Sequence, residues 1–451
     1  MKSHTFREYD IRGIFPEELN KNAVHQLGQA IGTYYHDKGA GRIAIGRDCR
    51  LSSPDLSTWL INGLVKSGME VVDIGMVATP VLYFSLHKLD VDGGIQITGS
   101  HNPPEFNGFK VCLGTASIYG EEIQKIRKIS ESGNFVKGNG KVENAAVIES
   151  YVDYIEKNIQ PGPFKRKVVV DAGNGVGGPI ACEIYNSLGF DVIPLFCEPD
   201  GRFPNHHPDP TIPENLKTMV SKVIESSADL GIAFDGDADR IGVVDEQGKI
   251  IWGDQLMIIF SRDLLSRHAG CKIIGEVKCS QALYDDIGKQ GGQAIMCKTG
   301  HSLIKSKMKE EGALLAGEMS GHVFFAERYF GYDDAVYAGS RLLEILSHTD
   351  KTLKGLLADV PEMVNTPEIR MDCPEDKKFD IVSDLAEQFK KEYKVIDVDG
   401  ARVLFDGGWG LIRASNTQPV LVLRFEANDS KRLEEIRKIF MDKLKRYLLN
   451  K

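Results

Sequence analysis

No apolar run in this 451-residue chain approaches the about 18 consecutive residues that cross a membrane. Met1 to Asp10 is polar and lacks the apolar core of a signal peptide. The eight cysteines include no C-x-x-C pair, which argues against a zinc site or a disulfide framework and for a reducing compartment. Positive charge is not in excess. Against 64 acidic residues stand 55 Lys and Arg, and the formal charge of −9 argues against nucleic acid or anionic membrane as a partner. A small anionic ligand stays possible wherever local cations build a positive cleft.

What is present is an ordinary globular composition, 42% apolar and 26% charged, at a length that suggests three or four domains. Three segments share one plan of strand, helix, glycine and strand within about 30 residues, the pattern of a parallel β-α-β unit. The first runs from Arg42-Ile43-Ala44-Ile45-Gly46 through a helix starting at Ser53-Pro54-Asp55 to Gly68 and Glu70-Val71-Val72-Asp73-Ile74. The second runs from Lys167-Val168-Val169-Val170 through Pro179 to Leu188, then Gly189 and Phe190 to Ile193. The third runs from Lys272-Ile273-Ile274 through Gln281 to Lys289, then Gly291-Gly292 and Gln293 to Met296. Ligands in such sheets gather at the carboxyl ends of strands, which directs attention to Gly46-Arg47-Asp48, Asp171 to Asn174 and Glu276 to Ser280. The last ninety residues differ. Helix-like runs at Asp380 to Tyr393 and Ser430 to Leu449 flank short strands at Val395 to Asp397, Arg402 to Phe405 and Val420 to Phe425, an α+β domain beyond a linker with Pro361 and Pro367. The expected fold class is therefore α/β, three related α/β domains with mixed sheets (1–147, 148–250, 251–361) and a smaller C-terminal α+β domain (362–451).

Several polar loops carry chemistry. Thr98-Gly99-Ser100-His101-Asn102-Pro103 follows the strand-like Gly93 to Ile97 and presents a serine that suits a nucleophile, a phosphoryl carrier or a turn. Asp235-Gly236-Asp237-Ala238-Asp239-Arg240 lies between two apolar runs, with three carboxylates at alternate positions that can converge on one hard cation such as Mg²⁺. Like charges so close repel unless something neutralises them, which favours a metal site over a solvated turn. Glu246, twelfth from Asp235, imitates a calcium loop, but Arg240 stands where that loop needs glycine and strand-like runs flank it. Gly173 to Gly178 matches G-x-G-x-x-G after a strand. Pro179 follows at once, so a structural strand-to-helix turn is preferred to a dinucleotide site. Gly317-Glu318-Met319-Ser320-Gly321-His322 places a carboxylate, a hydroxyl and an imidazole at alternate positions, suited to a sugar. Arg413-Ala414-Ser415-Asn416-Thr417-Gln418-Pro419 offers the guanidinium, hydroxyls and amide that a phosphate dianion needs.

In order along the chain, these stretches, with Tyr9-Asp10-Ile11-Arg12-Gly13 and Asn107-Gly108-Phe109-Lys110, resemble the α-D-phosphohexomutase superfamily, in its bacterial phosphomannomutase/phosphoglucomutase branch. The resemblance implies four domains around a central cleft. It implies that Ser100 is carried as phosphoserine, and that Asp235, Asp237 and Asp239 bind Mg²⁺ together with a phosphoserine oxygen at Ser100. It implies that Arg240 lies with the ligand-contacting groups, that Glu318 and Ser320 hold sugar hydroxyls, and that Arg413, Ser415, Asn416 and Thr417 hold the unreacting phosphate. Lys110, His101 and His322 are candidate acids and bases, with Arg12 near the attacked phosphoryl group; a catalytic lysine needs a pKa lowered by neighbouring cations. Tyr9, Lys278 and His301 match cleft contacts, and His322 joins them.

The implied reaction interconverts hexose 1- and 6-phosphates, of mannose, glucose or both, through a hexose 1,6-bisphosphate that turns over in the cleft. A cytoplasmic enzyme, monomeric or weakly dimeric, with neither nucleic acid nor membrane as partner, is expected. A metal-dependent sugar phosphatase whose cleft leaks to water, a noncatalytic sugar-phosphate binder and, last, a dinucleotide oxidoreductase are the rivals. Ala238 stands in the metal loop where glycine is commoner in the family, which leaves all three carboxylates in place.

Overall fold

The computed structural model describes residues 1–416 and 418–448. Each of the three β-α-β plans forms a parallel pair. Arg42–Arg47 lies beside Glu70–Met76, Lys167–Asp171 beside Asp191–Leu195, and Lys272–Glu276 beside Gln293–Cys297. The reasons are local: β-branched runs make the strands, Pro54 sits in the first turn of the helix Ser53–Lys66, and Gly68 turns the chain at φ +85°.

All three sheets are mixed, because each parallel core acquires an antiparallel hairpin. Gly93–Ile97 pairs with Phe106–Leu113, Leu230–Phe234 with Ile241–Asp245, and Leu315–Gly317 with Val323–Phe325. The serine loop, the metal loop and the sugar loop are the connections within these three hairpins. The fourth sheet is antiparallel, and its strands Gly408–Ala414 and Val420–Ala427 enclose the phosphate loop in the same way. The Asp235 loop therefore joins two strands, and no helix pair of a calcium hand flanks it.

The structure departs from the sequence expectations in two places and pairs two strands in stretches read from the sequence only as motifs. Gly408–Ala414 is a strand, so Arg413 stands on a strand end rather than in a loop. Its glycines hide the alternation: a Cβ on Gly408 would meet Glu426 O at 2.5 Å, and one on Gly410 would meet the Phe440 ring at 2.5 Å. Ile11–Ile14 and Phe106–Leu113 are paired strands of the first sheet, which places Arg12 opposite Gly108. The boundary expected at 250/251 divides the strand Ile250–Ile251, whose pairing with Val243 and Val244 keeps both residues in the second sheet.

Gly173 to Gly178 is a close-packed turn against the metal loop. Gly173 adopts φ +51°, and a Cβ on Gly175 would lie 2.8 Å from Gly236 O. A Cβ on Gly177 would lie 2.6 Å from the methyl of Ala238, and one on Gly178 would lie 2.4 Å from Cys197 O. The glycines make room for protein, not for a pyrophosphate. Gly178→Val is expected to cost about 2 kcal/mol in urea denaturation, because backbone atoms on the facing side cannot yield. The wild-type protein is expected to bind no NAD(H) in a fluorescence titration.

Candidate active site

The four hairpin connections converge on one cleft of about 900 Å³. Although the chain is acidic overall, Arg12, Lys110, Arg240, Lys278, Arg413 and Arg424 line it. Tyr9, Ser100, His101, His301, Glu318, Ser320, His322, Ser415 and Asn416 also face it. Asp239 reaches its wall, while Asp235 and Asp237 are buried behind it. Thr417 lies outside the described residues.

At the base of the cleft Ser100 adopts φ +47°, a left-handed backbone that a non-glycine residue holds only when its surroundings impose it. Its amide donates to Thr98 Oγ1 at 2.8 Å, and its Oγ donates to Asp235 Oδ2 at 2.6 Å and lies 3.1 Å from His101 Nδ1. The first sheet thus delivers a hydroxyl to the metal loop of the second.

Candidate ligand atoms of Asp235, Asp237 and Asp239 lie within 4.8 Å of one another, and all three residues are buried. Asp235 Oδ1 accepts the amides of Asp239 and Arg240 at 3.1 Å, so the turn itself aims this carboxylate. Asp237 Oδ2 accepts from Thr79 Oγ1 at 2.5 Å and Lys110 Nζ at 2.8 Å, while its buried Oδ1 has no hydrogen-bond partner. An unpartnered carboxylate oxygen within a trio of hard oxygen donors fits a divalent cation of the Mg²⁺ class. Burial, with Asp239 and Asp237 beside it, pushes the Asp235 carboxyl well above its usual range. Burial opposes the charge on Asp239 too, but Lys110, His322 and Arg240 outweigh it and hold that carboxyl well below its usual range.

The same balance separates the candidate acids and bases. Burial disfavours a charged Lys110, yet its ion pairs with Asp237 and Asp239 push its pKa well above the ordinary lysine value. Lys110 is surrounded by carboxylates, the reverse of the cationic setting that a lowered pKa requires. Burial, then Arg240 and Arg12, pushes the His101 imidazole far below the ordinary histidine range. His322 is buried too, but Asp239 at 3.2 Å and Glu318 at 2.6 Å raise its pKa to about 9. Two imidazoles shifted in opposite directions thus flank the serine and metal loops. Arg12 is ion-paired with Asp10.

Glu318, Ser320 and His322 share one side of the turn between Leu315–Gly317 and Val323–Phe325 and bond to one another. Ser320 Oγ donates to Glu318 Oε2 at 3.1 Å, and the Gly300 amide donates to Glu318 Oε1 at 2.7 Å. His301 lies 3.2 Å from Asp333 and stacks on His322 at 5.6 Å between ring centroids. Lys278 pairs with Glu368 at 3.2 Å. Arg413 Nε donates to Asp399 Oδ2 at 2.8 Å, and the same oxygen accepts the Thr299 amide at 3.1 Å. Tyr9 donates to Thr299 O at 3.1 Å and accepts from Asn416 Nδ2 at 2.8 Å, so one phenol ties the first, third and fourth sheets together.

Sequence reasoning missed the groups that hold these in place. Thr79 and Asp333 carry no local signal, and Asp399 reads from the sequence only as part of an Asp-Gly turn, because each becomes relevant only through a partner from another element. His207, whose ring bonds the His101 carbonyl, was likewise invisible.

Family models for phosphoglucomutase/phosphomannomutase match in chain order: alpha/beta/alpha domain I at 3–137, domain II at 149–248, domain III at 252–364 and the C-terminal domain at 368–443. The chain is 48% identical to the phosphomannomutase/phosphoglucomutase of Pseudomonas aeruginosa, covering 98% of this chain and 95% of that one. It is 47% identical to the phosphoglucomutase of Neisseria gonorrhoeae, over 96% and 95% of the two chains. A solved phosphoglucomutase/phosphomannomutase family protein from Burkholderia thailandensis superposes with a TM-score of 0.93 at 44% identity, covering 99% of this chain and 98% of that one. With four matched domains in order, a superposable relative and the serine, acidic and phosphate loops meeting in one cleft, this chain belongs to the phosphoglucomutase/phosphomannomutase family.

Proposed function

We propose that this enzyme, a hexose-phosphate mutase by family, moves a phosphoryl group between Ser100 and the 1- and 6-hydroxyls of mannose and glucose phosphates, with the 1,6-bisphosphate as intermediate and activator. The single observation that carries the reading is the Ser100 hydroxyl 2.6 Å from a buried aspartate trio at the base of a basic cleft. A pure binding protein has no use for that trio. Relatives named for both sugars support dual specificity.

In the proposed roles Asp235, Asp237, Asp239 and a phosphoserine oxygen at Ser100 hold Mg²⁺. When bound, the ion withdraws charge from the transferring phosphoryl group. Lys110 and Arg240 add fixed positive charge beside the same loop, and Arg12 faces the transferred group. His101, whose pKa is pushed down, and His322, whose pKa is pushed up, are proposed to take and return the sugar hydroxyl proton. Glu318 and Ser320 hold sugar hydroxyls, with Tyr9, Lys278 and His301 as further contacts. Arg413, Ser415, Asn416 and Thr417 grip the phosphate that is not reacting. Because that grip is separate from Ser100, a bisphosphate can turn end for end and present either phosphate to the serine. The Tyr9–Asn416 bond supports a role for the fourth domain in covering the cleft and excluding water. The domains are divided as 1–147, 148–251, 252–361 and 362–451, and no helix of the described residues is long and apolar enough to cross a membrane.

Phosphorus NMR with Mg²⁺, a trace of glucose 1,6-bisphosphate and either glucose or mannose 1-phosphate tests the reading. A growing 6-phosphate signal is expected, with its initial rates ranking the sugars; inorganic phosphate alone would make the protein a phosphatase. Ser100→Ala is expected to lose at least about 10³-fold in mutase rate while still binding hexose phosphate by calorimetry. Asp235→Asn keeps the shape but removes a repelled charge. In chelator it is expected to stabilise the fold by about 1 kcal/mol, a gain of the kind found when a functional site is relaxed. In return the variant is expected to lose activity and the rise in thermal midpoint that Mg²⁺ gives wild type.

A further inference from the structure

We infer that Arg50, a residue that does not face the cleft, is the positioning residue that sets the conformation of the Ser100 loop for phosphoryl transfer. The inference rests on the reading of Ser100 as the phosphoryl carrier. Arg50 is 1% exposed and lies in the connection after Arg42–Arg47. Its Nη1 donates to Pro103 O at 2.7 Å and Phe106 O at 2.9 Å; its Nη2 donates to Ser100 O at 2.8 Å and Asn102 O at 2.5 Å. One guanidinium therefore collects three carbonyls of a single loop, beginning with that of Ser100 itself, and a fourth from Phe106, the first residue of the strand that follows.

Three further observations fit this role. A Cβ on Gly99 would lie 2.4 Å from Arg50 Cζ and Nε, so the glycine before the serine is there to admit the guanidinium. Asp48 Oδ2 lies 3.4 Å from Arg50 Nε and accepts the Gly99 amide at 3.0 Å, fixing the arginine and the loop entrance together. The outer side is covered by the second domain: Phe203 stacks with its ring centroid 5.3 Å from Arg50 Cζ, and a Cβ on Gly201 would lie 2.7 Å from Arg50 Cα.

The physical consequence is directional. Carbonyls drawn inward onto a buried cation cannot present their negative ends to an incoming phosphoryl dianion. The pull on the Ser100 carbonyl also supplies what its φ of +47° needs, a partner that holds a disfavoured backbone in place. Arginine suits this because its planar fork spans several carbonyls at fixed angles, which an ammonium on a flexible stem does not. The third domain has a counterpart. Glu276, the last residue of its parallel strand, accepts the amide of Lys278 and the hydroxyl of Thr299 behind the sugar loop.

The test compares wild type, Arg50→Ala and Arg50→Lys as full chains with Mg²⁺, reading kcat, KM for glucose 1-phosphate and thermal midpoint. Phosphorylation of Ser100 by glucose 1,6-bisphosphate is followed in parallel by intact mass. Arg50→Ala is expected to lose about a hundredfold in kcat, the cost of a misplaced reacting group, with KM within about threefold of wild type. Millimolar guanidinium is expected to restore at least about tenfold of that loss, and Arg50→Lys to fall between. A folded Arg50→Ala with wild-type kcat overturns the inference, as does a loss that follows the fraction unfolded and ignores guanidinium. Should Arg50→Ala not fold, Arg50→Lys decides: reduced kcat at unchanged KM and midpoint supports the role, and wild-type kcat ends it. If wild type turns over no hexose phosphate yet acquires the phosphoryl group on Ser100, the mutase reading fails alone and the phosphorylation rates of the variants judge Arg50. If wild-type Ser100 is never phosphorylated, both fall.

Discussion

Three aspartates almost wholly shielded from bulk water, held within a few ångströms of one another, are the constraint that the rest of this molecule answers. Their repulsion would open the loop if it stood alone. The first domain answers with Lys110, the Thr79 hydroxyl and the Ser100 hydroxyl; the third answers with His322; the loop itself contributes Arg240 and two amides to Asp235. Even so, one oxygen of Asp237 is left over. The three domains meet at a charge problem that protein groups solve only in part.

A second regularity follows from topology. In each of the first three domains the chain leaves a parallel strand into a connection that does not itself carry the reacting group. The connection after Arg42–Arg47 supplies Asp48 and Arg50 behind the serine loop. The one after Lys167–Asp171 supplies the glycine turn behind the metal loop, where the Val176 amide donates to Gly236 O at 3.2 Å. In the third domain the last residue of the strand Lys272–Glu276 itself stands behind the sugar loop, where Glu276 Oε1 accepts the Met319 amide at 3.4 Å. The chemistry sits one layer forward, in the antiparallel hairpins. A sheet that ends in a hairpin presents a short loop rigidly fixed at both ends, which keeps the Ser100 hydroxyl in register with the aspartate trio. Ala238 shows how tight the fit is: at φ +59° it occupies a conformation glycine would hold more easily, and its methyl is accommodated by the absence of one on Gly177.

Much of this was legible beforehand, for definable reasons. The parallel units could be read because β-branched runs, a proline in a helix's first turn and a terminal glycine are local signals. The loops could be read because polar residues with glycine between apolar runs have few structural uses. Gly408–Ala414 was missed because its glycines answer to Phe440 and Glu426 across the sheet, a reason no window of sequence contains. The setting of Lys110 could not be read either, since the carboxylates around it come from a different domain 127 and 129 residues away.

By itself the sequence determined the parts: three parallel units, an α+β tail, a serine, an aspartate trio, a sugar loop and a phosphate loop, with the family resemblance to name their use. These are matters of residue type and spacing along a backbone with few allowed shapes. Only the tertiary structure decided that the loops face one cleft, which histidine's pKa is pushed down and which up, and that Arg50 and Asp333 stand behind Ser100 and His301. Those properties depend on distance and burial between segments far apart in the chain. Electrostatic energy in a dry interior changes steeply over a few ångströms, which no local pattern encodes.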